Sequence, residues 1–266
     1  MRLLFVFLLL SGYAGAQLTQ ISPVKHGHAH NDYMHVRPLS EALENGFTSI
    51  EIDVFLYKGE LRVSHLDVGL NKKKTIEQLY LDPIKKIIAQ NGGHVYKGFD
   101  TTVIFMIDFK TEGIETYHKL KEILRNYQDI ISVYRHDAVY RKRPISILIS
   151  GNNPMSEVLK EDTAFATIDA DISTMKLPAL NKAITRYSSS WGSYFTWSGN
   201  GTISAGEKEK LDSLVAKAHA LKKQIRFYGI PDKSNVWKTL LDAGVDWINT
   251  DKLDEYRRFA EERATQ

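Results

Sequence analysis

The chain has 266 residues, with Lys+Arg 35 set against Asp+Glu 32 and no cysteine. The charge balance argues against a dedicated nucleic-acid binder, which would show a basic stripe. The missing cysteine excludes a disulfide framework, a thiol nucleophile and a lipoprotein anchor, so stability has to come from a packed core.

The chain opens Met1-Arg2, continues with an apolar run over residues 3–10, and reaches Ala14-Gly15-Ala16 after the break Ser11-Gly12. A charged start, a short apolar stretch and a small-x-small end read as a secretory signal peptide cut after Ala16. The run is too short to cross a bilayer, which needs roughly 20 residues; an uncleaved anchor is the alternative. The expectation is a targeting segment over 1–16, one domain over 17–266, and a secreted or periplasmic location.

Beyond it, Val24 to His28, the first strand candidate, leads to a helix between Pro38 and Gly46, since Pro near the start and Gly past the end punctuate helices. Residues 48–53 and 61–64 read as strands separated by the turn Lys58-Gly59-Glu60. Thr75 with Gln78 spells a capping box. Asp82-Pro83 opens a helix that Asn91-Gly92-Gly93 ends. The unbroken apolar run 102–107 predicts a strand buried on both faces, and Thr111 is placed to cap the helix that follows. Further strands are expected at 145–149, 164–168, 187–191, 225–228 and 245–248. Helices are expected after the capping box Ser204/Glu207, around Val236 to Leu241, and at the polar C-terminus.

Strands alternating with helices, without a Pro/Gly/Ser linker, imply a parallel sheet, and the length suits a (β/α)₈ TIM barrel of one domain. Nine strand candidates are one too many. The pair at 48–53 and 61–64 is too close for a crossover helix, so one is misplaced or the ring is irregular there. A doubly wound open sheet is the runner-up, without the Gly-rich phosphate loop it would need.

The chemistry concentrates in residues 26–65, which hold His26, His28, His30, Asn31, Asp32, Glu51, Asp53 and His65. Such groups handle protons near neutral pH or hold cations. A core tolerates them only when each is paired. With Asp108, Lys110, Asp169 and Asp251 they fall at or just after candidate strand ends, which in a barrel share one face. Glu51 and Asp53, two apart on a strand, point the same way. With Asp108 and Asn31 they make an oxygen-rich site for Ca²⁺ or Mg²⁺, ion-paired rim carboxylates being the plainer reading. His30 and His65 can flank a reacting centre as acid and base. Lys110 can neutralise a phosphoryl oxygen or simply pair with a carboxylate.

His30-Asn31, Glu51-Ile52-Asp53, Ser64-His65 and Asp108-Phe109-Lys110 occur in the order found in the superfamily of phosphatidylinositol-specific phospholipase C and glycerophosphodiester phosphodiesterase. The string His30-Asn31-Asp32-Tyr33 and the segment Gly59-Glu60-Leu61 look most like its branch containing the yeast mitochondrial-inheritance phosphodiesterase-like proteins. The segment from Gly244 to Asp251 is similar to the closing strand of the glycerophosphodiesterases. The resemblance implies that His30 and His65 are the catalytic acid/base pair and that Glu51, Asp53 and Asp108 bind the metal. Asn31 matches a Ca²⁺ ligand of the eukaryotic phospholipases, where glycerophosphodiesterases carry Arg. Asp108 stands where relatives often have the longer Glu. His26, His28 and Asp32 lie outside the pattern.

The expected function is a secreted metal-dependent phosphoric diester hydrolase acting on a glycerophosphodiester or phospholipid head group. The rivals are a zinc amidohydrolase built on His28-x-His30 and a non-catalytic barrel binding module. The basic runs Lys72-Lys73-Lys74 and Arg141-Lys142-Arg143 read as solvated loops, contact with anionic lipid head groups being their alternative.

Overall fold

The structure, a computed structural model, describes residues 21–177 and 182–265; the segment read as a signal peptide lies outside them. Eight parallel strands close into a ring: β1 (Gly27–Ala29), β2 (Ser49–Tyr57), β4 (Val103–Phe109), β7 (Ile145–Gly151), β8 (Ala166–Asp171), β9 (Ile184–Ser190), β10 (Gln224–Tyr228) and β11 (Trp247–Thr250), with β11 pairing back onto β1. Closure leaves no strand edge to aggregate. The helices α1 (Ser40–Glu44), α2 (Asp82–Gln90), α3 (Gly113–Leu124), α4 (Met155–Lys160), α5 (Ala205–Ala220) and α6 (Ser234–Asp242) lie between the strands, and α7 (Leu253–Ala264) follows the last one. The expected TIM barrel is present, and the doubly wound alternative is set aside.

The surplus strand is β3 (Glu60–Val63). It turns back antiparallel on β2, with Val54 facing Val63 and Tyr57 facing Glu60, and stays outside the ring. Lys58 and Gly59 both take positive φ in the connecting turn, as a tight two-residue hairpin requires. A second hairpin, β5 (Val133–Arg135) with β6 (Ala138–Arg141), is absent from the sequence reading. Its Tyr134 hydroxyl donates to Ser146 Oγ at 2.7 Å. Residues 133–141 alternate too irregularly, and carry too many charges, to signal a strand pair.

Local chemistry sets the element ends. Thr75 and Gln78 form the expected reciprocal box, at 3.1 and 3.4 Å. Thr111 does not cap α3: Glu112 does, accepting from the Ile114 and Glu115 amides at 2.9 and 2.8 Å. A carboxylate satisfies two free donors at a helix start where a hydroxyl satisfies one. Thr111 instead accepts from the Leu56 amide and so ties the top of β2 to the approach of α3. Ser204 caps α5, but Glu207 turns away to accept from the Thr196 amide, fastening the aromatic loop after β9. That loop packs as core, with Trp191, Phe195 and Trp197 all buried.

The register of the ring places the site. Asp53 on β2 faces Asp108 on β4, which faces Ser150 on β7. Three polar residues thus stand side by side at the C-terminal rim, while Ile50, Phe105 and Ile147, three positions earlier and on the opposite face of the sheet, are fully buried. Gly151 ends β7 with φ +68°, and a Cβ there would lie 2.6 Å from the Phe109 carbonyl and 2.7 Å from Asp108 Oδ1. Only glycine allows the chain to turn away that close to the Asp108 carboxylate.

Candidate active site

A cavity of about 440 Å³ opens at the C-terminal mouth of the barrel, with walls that include His30, Asn31, Glu51, His65, Asp108, Lys110 and Arg226. Six of the seven residues singled out from the sequence therefore meet. The seventh, Asp53, is fully buried beneath this lining and acts through its partners.

Asp53 anchors one half of the site. Its Oδ2 accepts from the Tyr33 hydroxyl at 2.6 Å and the Lys110 ammonium at 2.9 Å, and lies 3.2 Å from His65 Nδ1. Lys110 also reaches Asp108 Oδ1 at 2.8 Å, while Asp108 Oδ2 accepts from Ser150 Oγ at 2.9 Å. The Tyr33 hydroxyl oxygen also lies 2.8 Å from Asn31 Oδ1 and 3.0 Å from His65 Nδ1, joining the loop after β1 to the loop after β3. Burial raises the Asp53 pKa above its ordinary value, against the opposing pull of Tyr33 and Lys110. Burial disfavours the Lys110 charge too, but Asp108 and Asp53 overcome it and raise that pKa.

Glu51 anchors the other half inside the barrel. His28 Nε2 lies 3.0 Å from its Oε2, and Arg226 Nη1 lies 3.2 Å from the same oxygen, 2.8 Å from His28 Nε2 and 2.9 Å from Asn249 Oδ1. Arg226 Nε donates to Ser188 Oγ, which in turn donates to the buried Asp169. Burial works against the Glu51 charge, yet His28 and Arg226 hold its pKa below the carboxylate range. Burial, then Arg226, pushes His28 down to about 3, so it is neutral. A second guanidinium, Arg186, is fully buried, stacks 4.7 Å from the Trp247 ring centre, and is lowered to about 9 by burial.

His30 stands just past β1 with Nδ1 2.8 Å from Asp251 Oδ1, beyond the end of β11. Burial disfavours its charge, but the Asp251 hydrogen bond and the nearby Glu51 raise its pKa. Each candidate catalytic histidine is thus held through Nδ1 by a carboxylate, which turns Nε2 to chemistry.

The other histidines take different places. His28 is fully buried with both nitrogens engaged, since Nδ1 lies 2.7 Å from Ser49 Oγ; a zinc centre on His28-x-His30 gains no support. His26 reaches the Asp246 carbonyl below β1. Asp32 is buried, accepting from the Leu39 amide and the Tyr80 hydroxyl, and braces the loop after β1.

Among the described residues, no three His, Asp or Glu side chains gather closely enough to hold a metal ion by themselves. A hard cation here would draw on one or two carboxylates, Asn31, and oxygens of substrate or solvent, a pattern common for Mg²⁺. Asp53 Oδ1 is buried without a hydrogen-bond partner, an acceptor such a cation would satisfy. Asp108, engaged at both oxygens, is the least available of the expected ligands.

Tyr33, Ser150 and Arg226 are the site residues the sequence reading missed. Arg226 carried a signal, as a cation in the middle of the apolar strand 224–228. Tyr33 closes the quoted string His30-Asn31-Asp32-Tyr33. Ser150 directly follows the strand expected at 145–149.

The description AIM6-like phosphodiesterase domain matches residues 16–168, and that of the glycerophosphoryl diester phosphodiesterase family matches 224–254. The chain is 29% identical over 281 residues to altered inheritance of mitochondria protein 6 of Eremothecium gossypii, covering 92% of this chain and 72% of that one. It is 27% identical to the protein of the same name from Kluyveromyces lactis, covering 91% and 74%. A crystal structure of a glycerophosphodiester phosphodiesterase from Parabacteroides distasonis superposes with a TM-score of 0.56 at 15% identity, over 92% of this chain and 100% of that one; this likeness is one of fold.

Proposed function

The chain belongs to the family of AIM6-like phosphodiesterase domains, and from that premise we propose that it is a secreted, metal-dependent phosphoric diester hydrolase acting on a glycerophosphodiester or phospholipid head group. The observation that carries the reading is the meeting of two carboxylate-held histidines, His30 on Asp251 and His65 on Asp53, at one cavity. They come from separate strand ends, so they approach a bound phosphate from different sides. One takes the proton of the attacking hydroxyl as the new P–O bond forms. The other gives a proton to the leaving alkoxide as the old bond breaks.

Lys110, half-buried between two carboxylates, supplies a fixed positive charge for a phosphoryl oxygen. Glu51, Asp53 and Asn31, with Asp108, are the oxygens that would hold Ca²⁺ or Mg²⁺; the chemistry such an ion supplies is polarisation of the phosphoryl group. The attacking hydroxyl is water or a substrate hydroxyl next to the phosphate, the latter giving a cyclic phosphate.

Hydrolysis of a phosphodiester panel, with and without chelator and added Ca²⁺, Mg²⁺ or Zn²⁺, tests the reading. Turnover restored by Ca²⁺ or Mg²⁺ and reduced in Glu51→Gln supports it. No turnover of any diester would leave a binding module. On a nitrophenyl diester, whose leaving group needs little protonation, loss of the acid histidine should cost much less than loss of the base, which assigns the two roles.

A further inference from the structure

Ten large hydrophobic side chains lie exposed among the described residues, and five belong to segments that border the cavity. Met34 and Val36, 68% and 93% exposed, sit on the loop after β1; Leu66 and Val68, 61% and 71% exposed, sit on the loop after β3; Tyr228 stands on the cavity wall. Exposed apolar residues scattered singly need no explanation, but a group on one face does. The two loops are neighbours, joined by the Tyr33 contacts to His65 and Asp53. They are also the loops that carry the histidines: Leu66 follows His65 directly, and Met34 comes four residues after His30.

The same stretch has a sign. Between Ser64 and Lys74 the only acid is Asp67, against Lys72, Lys73 and Lys74, all exposed. Three lysines beside apolar loop tips fit a surface that is oily within and anionic at its head groups, where a basic residue contributes by attraction and an apolar one by burial. A protein partner of matched shape would call for a continuous groove. Here the apolar residues alternate with His35, Arg37 and Asp67, which suits shallow insertion of separate tips.

We propose that the rim formed by residues 34–36 and 66–74 seats the barrel on an anionic phospholipid surface, with the cavity mouth at head-group level. This rests on the phosphodiesterase reading for its purpose: the site would take the head group of a lipid whose acyl chains stay in the bilayer.

Co-sedimentation of the full chain with vesicles of phosphatidylcholine, alone or mixed with the anionic lipid phosphatidylserine, reads the surface without reading catalysis. The parent should bind the mixed vesicles more strongly. Val36→Asp with Val68→Asp should weaken partition at least tenfold, with unchanged melting and unchanged turnover of a water-soluble diester. Lys72→Gln with Lys73→Gln should cost about twenty-five-fold on the mixed vesicles alone, at roughly fivefold per lysine. A parent that stays in the supernatant, or valine variants that sediment like it, overturns the proposal; so does a dimer that the valine variants dissociate while vesicles are ignored. If vesicles bind as described but no phosphodiester is turned over, the surface stands and the enzymatic reading falls.

Discussion

The two carboxylate clusters of the site sit on neighbouring positions of one strand and do opposite things. Around Glu51 every partner is buried: His28 is neutral, Arg226 compensates the charge, and Asp169 closes the network through Ser188. Around Asp53 the partners reach the cavity, and His65 and Lys110 are within reach of a ligand. Two residues of separation, Glu51 to Asp53, carry the chain from a charge-compensated ion network in the cavity wall to the buried carboxylate that holds His65 and Lys110. Buried ion pairs add little net stability, though breaking one is costly. The Glu51 cluster is therefore best understood as fixing the field in which the Asp53 cluster operates.

That division can be broken from either side. The largest effects should come from the open half. His30→Ala or His65→Ala should each remove about 10²–10⁴-fold of kcat/KM on an alkyl phosphodiester with melting close to the parent's. If His65→Ala instead melts early and keeps its rate, His65 is a packing residue. On the Glu51 side, Arg226→Met should destabilise by about 3–5 kcal/mol in equilibrium denaturation, because Glu51 and Asp169 lose their cation. The sign follows from Glu51, whose folded pKa is depressed: its stabilisation is complete above the unfolded carboxylate pKa and fades as pH falls toward the folded one. The gap between parent and variant should be widest near neutral pH and narrow on acidification.

Tyr33→Phe sharpens the comparison, since it cuts the strap between Asp53, Asn31 and His65 without removing any of them. A loss of about tenfold in kcat is expected, the worth of one hydrogen bond to a charged group, with KM and melting little changed. The smallest effect is a displacement of a pH profile. Asp251 raises the His30 pKa, so Asp251→Asn should move whichever limb His30 controls to lower pH and leave the other limb in place.

The barrel was legible because its strands are apolar runs with polar ends, and position along a strand is readable without contacts. The same logic found Asp108, Lys110 and Asp251, and His30 and His65 stood out by residue type. What the sequence withheld was pairing. Nothing in the spacing of Glu51 and Arg226, 175 positions apart, announces that the guanidinium donates to the Glu51 carboxylate. His28 and His30 look equivalent in the sequence, although the first lies under the barrel mouth and the second on it. The surplus strand was visible as an excess, but only its antiparallel register explains it.

That hairpin has a consequence for how the molecule assembles. His65 meets Asp53 across 12 positions, a contact that a two-residue turn can bring together early and at small loop-closure cost. His30 meets Asp251 across 221 positions, through the pairing of β1 with β11 that closes the ring. One histidine belongs to a local fold of the chain, the other to its global closure. Nascent or partly folded chains can form the first half of the site but lack the orienting carboxylate of the second. On the proposed reading, both histidines are oriented together only once the last strand has closed the ring.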